Sequence, residues 1–87
     1  MYLYLRLLNS DNGFVTYEYG KNLDNMVGTV TVDINDKNNY NCDFYPDSGN
    51  TAIHSDTLTA LGKVFGFITD YKEKQKMFPL KYTHAIG

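Results

Sequence analysis

The fold is decided by residues 2–19, which read YLYLRLLNSDNGFVTYEY. Apolar and polar residues alternate on both sides of the DNG sequence at 11–13, and a period of two is typical of half-buried strands. These residues predict a three-residue loop, Asp11-Asn12-Gly13, which places Gly13 in the left-handed position of a bulged hairpin. The stretch therefore predicts a β-hairpin with strands at about 2–8 and 14–19.

One register of this hairpin suits both faces of the sheet. It places two apolar pairs on the core face, Leu5 with Tyr19 and Leu7 with Tyr17. The same register pairs Arg6 with Glu18 on the outer face, where opposite charges on neighbouring strands stabilise each other. It also lays Tyr4 over Gly20. Because these local choices agree with one another, they favour this hairpin over other registers.

Two further strands are predicted at about 26–34 and 40–45, since both segments alternate in the same way. We expect Ile34 to lie opposite Tyr40, which keeps the apolar residues of the fourth strand on the core face. A slip of one residue would bury Asp43 instead, so the pattern selects this register.

A helix is predicted at about 56–77, because apolar residues recur there at helical spacing and Ser55 or Asp56 can cap its start. Its core stripe is predicted to contain Leu58, Leu61, Phe65 and Ile68. Gly62 and Gly66 lie beside this stripe and are interpreted as allowing a close approach of the tail. The tail, 78–87, is expected to form either a short fifth strand or an irregular segment draped over the helix.

These elements predict a single α+β domain over residues 1–87. Strands come first and the helix follows, so the expected architecture is an antiparallel meander of four or five strands with one long C-terminal helix packed on one face. The predicted core contains Leu3, Leu5, Leu7, Val15, Tyr17, Val30, Val32, Ile34, Cys42, Phe44, Leu58, Leu61, Phe65 and Ile68.

Composition and charge exclude several functional classes. The chain has 87 residues and a net charge of −2, which argues against a nucleic-acid partner because phosphates require a basic patch. No apolar run reaches the roughly 20 residues of a membrane span, so no membrane partner is expected. The start of the chain lacks the basic region of a signal peptide, and Cys42 is the single cysteine. These features favour a cytoplasmic protein without disulfides.

No pattern of residues predicts catalysis, a metal site or a cofactor. His54, Ser55 and Asp56 are adjacent in sequence and cannot converge as a hydrolase triad does, so they are interpreted as a helix start. The aspartates between 33 and 47 lack the glycine and the ligand spacing of a calcium loop. His54 and His84 have no metal-ligand spacing, and Cys42 on the core face is expected to be inert.

Two surfaces have more apolar or aromatic residues than one helix and one sheet need. The apolar arc of the helix extends beyond its core stripe to Phe67 and Tyr71. Either the tail or a partner chain must cover these residues. The outer face of the sheet presents Tyr2, Tyr4 and Tyr45 among threonines and charges, and tyrosine is enriched at protein interfaces.

The favoured hypothesis is a small interaction module that docks a protein partner or a second copy of itself. Its contacts are predicted to be Tyr2, Tyr4, Tyr45, Phe67 and Tyr71. Replacing Tyr4 and Tyr45 together by Ala is expected to abolish association while leaving the fold intact.

Two other hypotheses remain open. One is a small-ligand binder or enzyme with a cleft near the helix start, between the loop at Asp47 and His54. The other is a small acidic inhibitor of another protein's basic site, for which a net charge of −2 is low.

Overall fold

A computed structural model of the chain describes residues 2–46 and 54–85. In these residues the chain forms five strands and one helix, in the order β1 (Tyr2–Asn9), β2 (Phe14–Gly20), β3 (Gly28–Asp33), β4 (Asp36–Phe44), α1 (His54–Lys74) and β5 (Lys81–Ala85). The strands pair antiparallel in one sheet with the order β4-β3-β2-β1-β5, and α1 packs against β1, β2 and β3. The predicted α+β class is confirmed.

The register of the predicted β1–β2 hairpin is confirmed, but its turn is shorter than the predicted three-residue loop: the backbone N–H of Phe14 donates to the carbonyl of Asp11, so Asn12 and Gly13 alone form the loop. Leu5 pairs with Tyr19 and Arg6 with Glu18. Gly13 has a φ of 81°, and Asn12 is also left-handed with a φ of 59°. Two successive left-handed residues are typical of a type I′ turn, whose twist matches that of the flanking strands. The ladder is regular up to Leu7, after which a bulge shifts the register.

The predicted register between β3 and β4 is wrong by two residues. Ile34 does not pair with Tyr40; instead, Val32 does. The cause is a bulge in which residues 37–39 separate the Val32–Tyr40 pair from the preceding Asp33–Asp36 pair. Because side chains alternate with a period of two, this shift leaves the predicted faces of both strands unchanged.

The tail forms the fifth strand, which settles the alternative left open by its sequence. β5 pairs with β1, with Tyr82 opposite Leu5 and His84 opposite Leu3. This pairing makes β1 an interior strand of the sheet. The sheet is therefore a four-stranded meander extended at its first strand by a crossover through α1.

The helix begins and ends earlier than predicted. It starts at His54 and stops at Lys74, because Gln75 takes a left-handed φ of 55° that ends the helical path. The backbone N–H of Lys76 then donates to the carbonyl of Asp70 at 3.3 Å and satisfies one of the last helical carbonyls. The predicted end at residue 77, just before Pro79, is three residues too late.

The predicted buried face of the helix is only partly right, since Leu61 and Ile68 are buried as predicted but Leu58 is not. Leu58 is 55% exposed, and Phe65 is only partly buried. The observed stripe comprises Ala60, Leu61, Val64, Phe67 and Ile68. The Phe67 ring packs at 5.2 Å from Tyr17 of β2 and at 5.1 Å from Tyr82 of β5, so Phe67 belongs to the buried side of the helix and Leu58 does not.

The remaining predicted core residues divide between centre and margin. Fully or nearly buried are Leu3, Leu5, Val15, Tyr17, Val30, Val32, Leu61 and Ile68, together with Tyr19, Met26 and Val27, which were not in the predicted core. Leu7, Ile34 and Cys42 are partly buried at the margin. Phe44 is exposed near the end of the edge strand β4, so its place in the predicted core is wrong.

Two buried tyrosines fix the helix and the tail to the same face of the sheet. The Tyr19 hydroxyl and the Thr57 hydroxyl at the start of α1 are 2.6 Å apart. The Tyr17 hydroxyl donates to the carbonyl of Pro79 at 2.5 Å. Because both clamps act on one face, the opposite face of the sheet is left for other contacts.

Candidate functional site

We call the face of the sheet opposite α1 the open face, because among the described residues no helix or strand packs on it. The loop that follows β2 lies over one part of this face, at Gly20. Strand alternation and the observed registers decide which residues belong to it. They are Tyr2, Tyr4, Arg6 and Asn9 of β1, Phe14, Thr16 and Glu18 of β2, Thr29, Thr31 and Asp33 of β3, Asp36, Asn41 and Asp43 of β4, Lys81, Thr83 and Ala85 of β5, and Tyr45, which follows β4.

A buried carboxylate lies at the centre of the open face. Glu18 is only 7% exposed. The guanidinium of Arg6 forms an ion pair with Oε1 of Glu18, with Nε at 2.5 Å, and the Tyr45 hydroxyl donates to Oε2 at 2.8 Å. Both carboxylate oxygens therefore have partners, which offsets the cost of burying the charge.

The sequence predicted the Arg6–Glu18 half of this cluster but not its Tyr45 half. The ion pair follows from the hairpin register. Tyr45 follows the end of β4, two strands away from β2, and its approach depends on the twist of the sheet. No local pattern in the sequence encodes that distance.

A groove of about 400 Å³ opens beside this cluster. It is lined by Arg6, Glu18, Leu23, Asp24, Asn25, Met26, Tyr45 and Pro46. One wall is the loop that follows β2, which approaches closely because Gly20 has no side chain: a Cβ there would lie 2.9 Å from the Cα of Met26. The lining combines apolar side chains, an amide and paired charges, so the groove suits an amphipathic side chain of a partner.

Aromatic and hydroxyl groups cover the rest of the open face. The rings of Tyr2 and Tyr4 are 6.3 Å apart and tilted, and Tyr2 is exposed. The hydroxyls of Thr16 and Thr31 are hydrogen-bonded across β2 and β3 at 2.9 Å. Such rigid amphipathic groups bury area on binding at a low cost in side-chain entropy.

Burial raises the pKa of three tyrosines. Desolvation is the main cause for Tyr17 and for Tyr19, whose phenols lie in the core. The pKa of Tyr45 rises to about 12, first because of desolvation and then because its hydroxyl donates to the negatively charged Glu18. The Tyr45 phenol therefore remains a proton donor well into alkaline pH.

We expect the folded protein to lose stability as the pH rises from about 10 to about 12. Above pH 10 the unfolded chain releases the Tyr45 proton, whereas the folded chain holds it until about 12, so alkali favours unfolding. Below pH 10 both states hold the proton and this effect vanishes. Urea unfolding across this range, with tyrosinate absorbance as the second readout, measures it. Tyr45→Phe should flatten the decline, and an unchanged slope would contradict the assignment.

The helix contributes less to the candidate interaction surface than predicted. Phe67 is only 8% exposed and is covered by Tyr17 and Tyr82, so its assignment as a contact residue is incompatible with this structure. Tyr71 remains exposed, and its ring stacks on Phe78 at 4.7 Å. The tail therefore covers much of the additional apolar arc of the helix.

A smaller hollow lies near the start of the helix. It measures about 190 Å³ and is lined by Lys21, Asn22, Asn25, Val27 and Asp56. Lys21 Nζ and Asp56 are 3.4 Å apart, so the two charged groups at this hollow are paired with each other. Asp47 and the side chain of His54, which the sequence placed at a cleft here, lie outside the described residues.

Among the described residues, the candidate chemical groups do not form a cluster. Cys42 is partly buried, and burial raises the pKa of its thiol, which lowers its nucleophilicity at neutral pH. Within 2–46 and 54–85, no three metal-ligating side chains come together. In the same residues, α1 is not apolar enough over its length to cross a membrane.

No protein-family model, no curated protein and no solved structure matches this chain.

Proposed function

We propose that this protein is a small interaction module that docks a protein partner through the open face. One observation carries the proposal: a sheet face that neither the helix nor another strand covers among the described residues presents a tyrosine pair, a row of threonines and a groove. The single cysteine agrees with a reducing compartment, so we place this docking in the cytoplasm.

The charges of the open face support a protein partner over a nucleic acid. Arg6 is already paired with Glu18, which leaves Lys81 as the other cation of this face. A phosphate backbone requires several cations on one surface. Tyrosine and threonine together with paired charges are instead typical of the mixed polar and apolar surface of a transient protein interface.

Photo-crosslinking tests the proposal, because it captures whichever molecule touches a chosen residue. A photoreactive amino acid is introduced in place of Thr31 or Thr83 on the open face, in cells that make the protein. The matched controls carry it in place of Gly62 or Glu73, which are exposed on α1. We expect covalent adducts of defined mass from the open-face positions and none from the helix positions.

Tyr4→Ala should reduce the open-face adducts. It is a cleaner variant than the predicted double replacement, because Tyr45→Ala would also remove a hydrogen bond from the buried Glu18. Adducts from the helix positions alone, or from no position, would contradict docking through the open face.

A small-ligand site is the second candidate function. It is favoured by the hollow near the helix start, which combines a lysine, an aspartate and two amides. We rank it below docking because Lys21 and Asp56 already pair with each other and leave fewer free groups for a ligand.

A further inference from the structure

We propose that the partner of the open face is a second copy of this chain, packed face to face about a two-fold axis that runs parallel to the strands. This inference rests on the proposed docking function and names its partner. It follows from the order of charges across the sheet.

One row of side chains crosses the whole open face. The observed pairings place its members side by side, one per strand, in the order Asp43, Thr29, Glu18, Arg6 and Lys81. Residues paired across neighbouring strands lie on the same face. The row therefore runs from an acid on the edge strand β4 to a base on the edge strand β5.

A two-fold axis parallel to the strands makes this row complementary to itself. β2 is the middle strand of the five, so the rotation places β4 of one copy over β5 of the other. Asp43 then faces Lys81 of the second copy, and the symmetry repeats the pair. Two sheets packed in this aligned way cross at about 30°, which displaces the edges by about 5 Å, and the long lysine side chain can span that displacement.

The centre of the row does not oppose this packing. Glu18 faces its own copy across the axis, but its charge is buried and paired with Arg6. Thr29 faces Arg6 of the second copy, and the neighbouring Thr16 and Thr31 add hydroxyl groups. The same rotation carries Tyr4 of the second copy towards the loop that forms one wall of the groove.

The size of the open face agrees with a reversible dimer. Five strands about 4.8 Å apart and some six residues long cover roughly 20 Å by 20 Å. Such a contact buries about 400 Å² on each copy, or about 800 Å² in total, which is below the range of stable interfaces and within that of weak, transient ones. We therefore expect dissociation in the micromolar range, where the two symmetric charge pairs have a measurable influence.

Charge reversal tests the dimer directly. In Asp43→Lys or Lys81→Asp, each proposed attractive pair becomes a repulsive one, so the dissociation constant should rise about tenfold or more. The double variant should dimerise as the wild type does. An equimolar mixture of the two single variants should form a heterodimer, since both of its pairs are again attractive. Sedimentation and light scattering over a range of concentrations give the mass, which for the dimer is twice 9.9 kDa.

If the double variant dimerises again, the restored attraction must act between two chains and not within one chain. Asp43 and Lys81 lie on opposite edges of the sheet, about 19 Å apart at the usual strand spacing. Asp11→Lys and Lys76→Asp are the controls, because they make the same changes in net charge at exposed positions outside the open face. They should leave the dissociation constant unchanged.

Three results would overturn the inference, and they differ in what they imply. The protein could be a monomer at every concentration while its open-face adducts have a mass other than that of two copies. This result would support the docking function but would show that the partner is a different molecule. A monomer without open-face adducts would overturn both proposals. A dimer whose dissociation constant is unchanged by both charge reversals would show that the copies associate through another surface.

Discussion

Val64→Asp is expected to unfold the protein, whereas Leu58→Asp is expected to leave it folded. Val64 is 0% exposed in the observed helix stripe, and Leu58 is 55% exposed. A carboxylate at Val64 would lose its hydration without gaining a partner, at a cost of several kcal/mol. A domain of this size has a total stability of roughly 4–13 kcal/mol, so this loss is decisive. Leu58→Asp should change the free energy of unfolding by no more than about 0.5 kcal/mol.

Circular dichroism and urea unfolding of the two variants measure this difference. Val64→Thr is the matched control, since it keeps the shape of the side chain and adds one neutral polar group. It should fold with an intermediate loss of stability. If Leu58→Asp unfolded the chain and Val64→Asp did not, the helix would rest on the stripe predicted from the sequence and not on the observed one.

Gly28→Ala is expected to destabilise the protein by about 2–3 kcal/mol. A Cβ at this position would overlap the carbonyl oxygen of Asp43 on the paired strand, and it would lie 3.2 Å from the Tyr19 hydroxyl. The end of a flexible side chain can move away from an added Cβ, but the backbone of a paired strand cannot do so easily. The β3–β4 ladder would therefore have to shift, and with it the acid of the open face.

Gly62→Ala is the matched glycine variant, and it should stabilise the protein where Gly28→Ala destabilises it. Nothing lies within 4 Å of a Cβ at Gly62 or Gly66, so the predicted close approach of the tail at these glycines is wrong. Alanine in a helix interior is more favourable than glycine by about 1 kcal/mol. Urea midpoints of both variants give the comparison. If both variants lost the same amount of stability, the room available for a Cβ at each glycine would not explain the effect.

The parts of the fold that could be predicted depend on neighbours in sequence. The hairpin register follows from turn chemistry and alternation, which agree at Gly13 and at the Arg6–Glu18 pair. The face of each strand could also be predicted, because a period of two survives the shift at Val32. The register shift between β3 and β4 could not be predicted, since a bulge does not change the alternation of apolar and polar residues in the sequence.

The parts that could not be predicted depend on where distant segments meet. The helix has two apolar arcs, and its contacts with strands distant in sequence decide that Val64, and not Leu58, faces the sheet. The approach of Tyr45 to Glu18 likewise depends on the geometry of three strands. The symmetric order of charges on the open face becomes visible only when the strand order is known.

The pairing of β1 with β5 has a consequence for the order of folding. β1 to β4 form from successive neighbours, whereas β5 must return across the whole sheet to reach β1. Closing so long a loop is slow compared with forming a hairpin. During synthesis on the ribosome, β1 therefore presents an unpaired backbone edge until β5 has emerged. That interval is when the nascent chain is most exposed to aggregation and to capture by chaperones.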